Sequence, residues 1–232
     1  MRLKIAPSIL AAAFERLGDE VRQVEAAGAD QIHVDVMDGH FVPNLSMGPV
    51  VVEALRRVTR LPLDVHLMIT DPSKHVDSFI KAGASHVSFH VEVEDDPPGL
   101  AARLHERGVS AGLALNPETP VDRVLDLLPH FELILIMTVH PGFGGQTFLP
   151  ENLEKVAAVR ERANRGPASG RTLDIQVDGG IDRKTAAPAL AAGANVFVAG
   201  SAIFAGGDAA AGVRALRQSL NAVVPSDSAP GA

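Results

Sequence analysis

Short apolar, β-branched runs alternate along the chain with longer stretches rich in Ala, Leu, Arg and Glu at helical spacing. The runs cover residues 3–9, 31–37, 63–68, 86–91, 110–115, 133–139, 173–177 and 196–199. Their length and composition predict strands. Between them the spacing predicts helices over 16–27, 48–58, 72–82, 99–107, 120–128, 151–164, 183–192 and 209–223. Strands that alternate with helices need crossovers, and hence a parallel sheet. One eighth of the 232 residues is about 29, close to the roughly 30 of a βα module.

A repeated joint supports this reading. Ala27-Gly28-Ala29, Ala82-Gly83-Ala84 and Ala192-Gly193-Ala194 each end a helical stretch and precede an apolar run, with Gly as the left-handed C-terminal cap. Eight parallel βα units close most economically into a (β/α)8 TIM barrel, here spanning 1–224 as one domain, with 225–232 as a flexible tail. A doubly wound open sheet should carry a Gly-rich dinucleotide fingerprint after its first strand. Ser8-Ile9-Leu10-Ala11-Ala12-Ala13 does not.

Composition narrows the function. A net charge of −7 has the wrong sign for a protein whose affinity rests on neutralising nucleic-acid phosphates. The chain has no Cys, Trp or Tyr, which removes thiolate ligands and nucleophiles and leaves His, Asp and Glu as strong metal ligands. The start imitates a signal peptide, with Arg2 and Lys4 before an apolar run, but Pro7 and Ser8 interrupt that run and a buried first strand explains it better. Residues 185–207 carry no charge, yet Pro188, Gly193, Asn195 and Gly200 punctuate them as a helix, a turn and a strand. The expectation is a cytoplasmic protein with no membrane or nucleic-acid partner.

In such a barrel the chemistry collects where strands end. Period-two alternation puts His33, Asp35 and Met37 on one face of the second strand, and His66 and Met68 together on the third. The seventh strand ends in Asp178-Gly179-Gly180. Two His and two carboxylates thus end three strands, and burying them together is costly without a compensating ion. This set suits Zn2+, Fe2+, Mn2+ or Co2+. Asp38, before Gly39, reads as a turn residue and His90 as a core or rim residue. Gly142, Gly144 and Gly145 after the sixth strand, Gly179-Gly180 after the seventh and Gly200-Ser201 after the eighth are loops whose backbone amides can converge on a phosphate. Ser8, ending the first strand, is placed to meet a substrate hydroxyl.

The ordered motifs Ala6-Pro7-Ser8-Ile9-Leu10, His33-Val34-Asp35-Val36-Met37-Asp38-Gly39, Asp64-Val65-His66-Leu67-Met68, Pro141-Gly142-Phe143-Gly144-Gly145-Gln146, Val177-Asp178-Gly179-Gly180 and Ala199-Gly200-Ser201 together resemble the ribulose-phosphate 3-epimerase family from Ile5 to about Phe204. That resemblance implies one divalent metal held by His33, Asp35, His66 and Asp178. It implies Asp35 and Asp178 as the acid/base pair that moves the C3 proton of ribulose 5-phosphate and xylulose 5-phosphate through a cis-enediolate. Ser8, His66 and Asp178 would touch this phosphorylated ketose. Gly142, Phe143, Gly144, Gly145, Gly179, Gly180, Gly200 and Ser201 would hold its phosphate end, with Met37, Met68 and Met137 lining the reaction centre. A homo-oligomer is expected by the same analogy. Rival readings are an allulose-6-phosphate 3-epimerase, or a lyase or synthase on the same barrel. One departure is His140, where the resemblance leads one to expect Asn or Glu.

Overall fold

The computed structural model describes residues 2–165 and 173–223; the tail expected at 225–232 lies outside them. Among the described residues eight strands alternate with helices. They are β1 (Lys4–Pro7), β2 (Ile32–Met37), β3 (Leu63–Met68), β4 (His86–His90), β5 (Ser110–Leu115), β6 (Leu133–Met137), β7 (Asp174–Asp178) and β8 (Val196–Ala199). All ladder pairings are parallel, in the order β1-β8-β7-β6-β5-β4-β3-β2. The seam between β1 and β2 is joined by a parallel bridge, Ser8 to His33, and by the Asp30 amide donating to the Ile5 carbonyl at 3.0 Å. This is the predicted (β/α)8 barrel.

The helices are α1 (Leu17–Ala26), α2 (Pro49–Val58), α3 (Pro72–Ala82), α4 (Pro97–Glu106), α5 (Asp122–Leu125), α6 (Leu153–Arg165), α7 (Ala186–Ala192), α8 (Ser201–Phe204) and α9 (Ala209–Asn221). Most agree with the spacing, and the departures have local causes. α4 starts two residues early because Asp96 caps it by accepting from the Gly99 amide at 3.0 Å, with Pro97 in the first turn, where a missing amide costs nothing. The helix expected over 120–128 shrinks to one turn followed by a 3-10 turn, Leu128–His130, since Pro129 offers no amide to continue the ladder. α7 starts late because Asp182 accepts from the Lys184 and Thr185 amides at 2.7 and 2.9 Å. The short α8 directly after β8 has too few residues to show a period. Gly28, Gly83 and Gly193 all take positive φ, at 93°, 105° and 114°, as the repeated joint predicted.

Strand alternation divides the molecule into two environments. Val34, Val36, Val65, Leu67, Val87 and Phe89 face the helices in the main apolar core. Inside the barrel and at its mouth the apolar side chains form three small groups, one on β5 and β6 with Val139 just beyond (Ala114, Leu133, Leu135, Met137, Val139), one on β1 and β8 (Ala6, Val196, Val198) and one at the ends of β2 and β3 (Met37 and Met68, with Val42 from the loop after β2). The rest of the buried interior is polar, with His33, Asp35, Asp64, His66, Ser88, His90 and Gln176 on β2, β3, β4 and β7. Among the described residues no helix is long and apolar enough to cross a membrane.

Asp38 is the turn residue expected after β2, and it also ties two strand-end loops together. Its carboxylate accepts from the His40 and Phe41 amides at 2.8 and 2.9 Å, and from the Thr70 amide and hydroxyl at 2.8 and 2.7 Å. Partial burial would raise its pKa, but the Thr70, His40 and Phe41 donors outweigh that and hold it down from 3.8 to about 2. A depressed folded-state pKa stabilises above the unfolded value and is lost as pH falls through the folded one. Asp38→Asn should therefore lower Tm by roughly 2–4 °C near neutral pH, the effect of about 1 kcal/mol in a chain of this size. The gap should close between about pH 4 and about pH 2 in thermal melts; a gap independent of pH would remove the ionic contribution.

Candidate active site

The register of β2 against β3 sets His33 beside Asp64 and Asp35 beside His66, all pointing into the barrel. The His33 Nδ1–H donates to Asp64 Oδ2 at 2.8 Å, and the same oxygen accepts from Gln31 Nε2 at 2.9 Å and Gln176 Nε2 at 2.7 Å. An ionised carboxylate only accepts, so a proton is fixed on Nδ1 and Nε2 is turned to the barrel centre. Burial would raise Asp64, but the neighbouring His33 charge outweighs it and holds the carboxyl below its usual value.

His33 Nε2 lies 3.2 Å from Asp35 Oδ1 and 3.6 Å from Asp178 Oδ2; His66 Nδ1 lies 3.4 and 3.7 Å from the same two oxygens. The ligand atoms of these four residues all fall within 4.8 Å of one another. Three strands thus deliver the two imidazoles and two carboxylates the sequence picked out. Neither His33 Nε2 nor His66 Nδ1 has a hydrogen-bond partner, although both side chains are fully buried. Leaving such a group unsatisfied costs about 1–3 kcal/mol each.

The electrostatics point the same way. Burial alone would pull His33 down, but Asp35 and Asp64 outweigh it and raise its pKa well above the ordinary value. His66 is raised by Asp178 and Asp35 against the same opposition. Burial would raise Asp35, yet His33 and His66 hold it below the usual carboxylate range. The cluster draws positive charge to the two unpartnered nitrogens. A divalent cation meets that demand with a donor set of borderline softness, so these residues fit one.

Above the cluster opens a cavity of about 370 Å³, with Ser8, Asp35 and Asp178 in its wall. Ser8 Oγ donates to Asp35 Oδ2 at 2.5 Å, so Asp35 turns one oxygen toward the histidines and has the other fixed by a hydroxyl. Met37, Met68 and Met137 supply apolar wall. The loops after β6, β7 and β8 form the rim, bringing Gly142, Phe143, Gly144, Gly145, Gly179, Gly180, Gly200 and Ser201 to the same cavity. Gly179 and Gly180 take φ of 117° and 65°. A side chain on Gly180 would come within 2.7 Å of the Phe148 amide nitrogen, so backbone alone fits there.

Two placements refine the sequence reading. His66, expected to touch substrate as well as metal, is fully buried and outside the cavity wall, because β3 sets its ring behind the carboxylates with Nε2 turned to His90. His140 also lies outside that wall: it points to solvent and pairs with Glu118 at 2.8 Å through Nδ1.

Sequence reasoning missed the supports beneath the cluster. Asp64, Gln31 and Gln176 hold His33. Behind His66, His90 Nε2 stands 2.9 Å from His66 Nε2 and His90 Nδ1 stands 3.1 Å from Glu92 Oε2. Burial and the His66 charge outweigh Glu92 and push His90 down to about 4. Burial would raise Glu92, but the bonds from His90, Asn116 and Thr119 hold it at about 2. The period-two pattern does put His86, Ser88 and His90 on the inner face of β4, and that was the available signal.

Cavity, cluster and rim define a (β/α)8 barrel with a candidate metal-dependent active site at the C-terminal ends of its strands. A model of the ribulose-phosphate 3 epimerase family matches residues 4–204, and the chain belongs to that family. It is 50% identical over 218 residues to the ribulose-phosphate 3-epimerase of Mycobacterium tuberculosis (strain ATCC 25618 / H37Rv), covering 94% of this chain and 93% of that protein. The Bacillus subtilis (strain 168) ribulose-phosphate 3-epimerase is 46% identical, over 94% and 99%. Among solved structures, a 3-hexulose-6-phosphate synthase superposes with a TM-score of 0.70 at 20% identity, covering 95% of this chain and all of the other; that likeness is one of fold.

Proposed function

We propose that this chain, through one barrel domain at 1–224, inverts C3 of ribulose 5-phosphate and xylulose 5-phosphate with Asp35 and Asp178 as the two proton-transfer groups. The carrying observation is that these carboxylates, from strands separated by β1 and β8, turn oxygens to the same two imidazole nitrogens while both belong to the cavity wall. Epimerisation beside a ketone removes a proton from one face and returns one to the other, so it needs a group on each side.

The ketose phosphate enters with its phosphate toward the Gly142–Gly145, Gly179–Gly180 and Gly200–Ser201 loops, whose bare backbone allows close approach. Asp35 Oδ2, fixed by Ser8, faces C3 from one side, and Asp178 from the other, each alternating between accepting and returning the proton. Met37, Met68 and Met137 exclude water from the planar enediolate. His33, Asp35, His66 and Asp178 would hold a divalent cation, Zn2+, Fe2+, Mn2+ or Co2+. When bound it supplies Lewis-acid stabilisation of the negative charge developing on the substrate oxygens.

Proton NMR in D2O tests the reaction. Ribulose 5-phosphate should lose its C3–H signal and yield xylulose 5-phosphate without fragmenting, with kcat/KM at least tenfold above that for allulose 6-phosphate. Formaldehyde or another fragment would mean a lyase, binding without exchange a silent binder, and faster turnover of the six-carbon sugar the rival epimerase.

A further inference from the structure

Behind the cation ligands a line of hydrogen bonds leads from His66 to the carboxylate of Glu92. Glu92 Oε2 can only accept, so the proton of a neutral His90 sits on Nδ1, 3.1 Å away. His90 Nε2 is then an acceptor, and the ring 2.9 Å from it must supply the proton from His66 Nε2. A neutral His66 with its proton on Nε2 has a bare Nδ1, the unpartnered nitrogen near Asp35 and Asp178. His66 and His90 are fully buried and stacked, their centroids 5.0 Å apart, and His90 packs against Phe41 at 4.6 Å. No water is needed to complete the chain of bonds.

We propose that Glu92 and His90 are positioning residues that fix the tautomer of His66 and so make it a cation ligand through Nδ1. This rests on the cation reading above. The far end of the line is fixed as well. Glu92 Oε1 accepts from the Asn116 amide at 2.8 Å and from the Thr119 hydroxyl, while Lys155 Nζ donates to the Asn116 carbonyl at 3.0 Å and to that of Pro117. A backbone amide cannot become an acceptor. In Glu92→Gln the amide oxygen must therefore turn to Asn116, which leaves an NH2 donor facing His90 Nδ1. His90 then moves its proton to Nε2, His66 Nε2 becomes the acceptor, and the His66 proton occupies the ligating nitrogen.

The test compares wild type, Glu92→Gln and Glu92→Asp in the full chain, measuring Zn2+ affinity by competition with a chromophoric chelator. Ring nitrogen NMR of 15N-histidine-labelled, Zn2+-loaded wild type reads the proton positions directly. The relay requires a 10–100-fold weaker Zn2+ affinity in Glu92→Gln, the size of effect typical for partners of ligating histidines. Glu92→Asp, shorter but still acceptor-only, should bind Zn2+ more tightly than Glu92→Gln. A purely structural role predicts the reverse order, since Gln matches Glu in shape. The loaded wild type should show protons on His66 Nε2 and His90 Nδ1. Protons on the other nitrogens, or equal affinity in Glu92→Gln, overturns the relay while leaving the cation reading standing. A wild type that takes up no Zn2+ overturns both.

Discussion

Asp35→Asn and Asp178→Asn should each reduce turnover by about 10²–10⁴-fold, the usual contribution of a positioned acid or base, while the barrel stays folded. The loss alone would not separate proton transfer from cation binding, because both carboxylates also belong to the four-residue cluster. Solvent exchange separates them. With one carboxylate gone, the remaining one still faces C3 from its own side, so the epimer whose proton points that way should keep exchanging C3–H with D2O without converting. The two variants should be complementary, each retaining exchange on the epimer the other has lost. If both lose exchange on both epimers although Zn2+ content equals that of wild type, the two-carboxylate division of labour is wrong. Near-native turnover in either removes the mechanism altogether.

The cluster of two imidazoles and two carboxylates was legible because its members are set locally. Alternation along β2 puts His33 and Asp35 on one face whatever the neighbouring strands do, and the end of a strand is fixed by the glycines that follow it. The helix-to-strand joints were legible for the same reason, as a single Gly sets the chain reversal. What the sequence concealed depends on neighbours distant along the chain. Asp64 faces His33 only because β3 lies against β2 in one register, and Gln176 reaches the same carboxylate from β7, 112 residues away. His90 meets His66 diagonally, since the register pairs His66 with Ser88. No pattern along one strand reports a diagonal contact. His140 is the reverse case: it drew attention as a departure just before a glycine-rich motif, while its side chain turns to solvent and Glu118.

Exhaustive chelation should abolish turnover, and Zn2+, Fe2+, Mn2+ or Co2+ should restore it, whereas Mg2+ at the same concentration should not. Two of the four donors are imidazole nitrogens, a poor match for a hard ion that prefers oxygen. The stripped protein should remain folded, because the raised pKa values of His33 and His66 let protons take over the positive charge that the buried carboxylates demand. Stability should still change measurably. A ligand bound only by the folded state at a hundredfold excess over Kd contributes about 2.7 kcal/mol, so reloading should raise Tm by roughly 5–10 °C. Activity and Tm should return together in a titration, with one ion per chain. Full turnover in a sample verified as metal-free by elemental analysis would refute the site, and recovery of Tm without recovery of turnover would place the ion outside the proton-transfer centre.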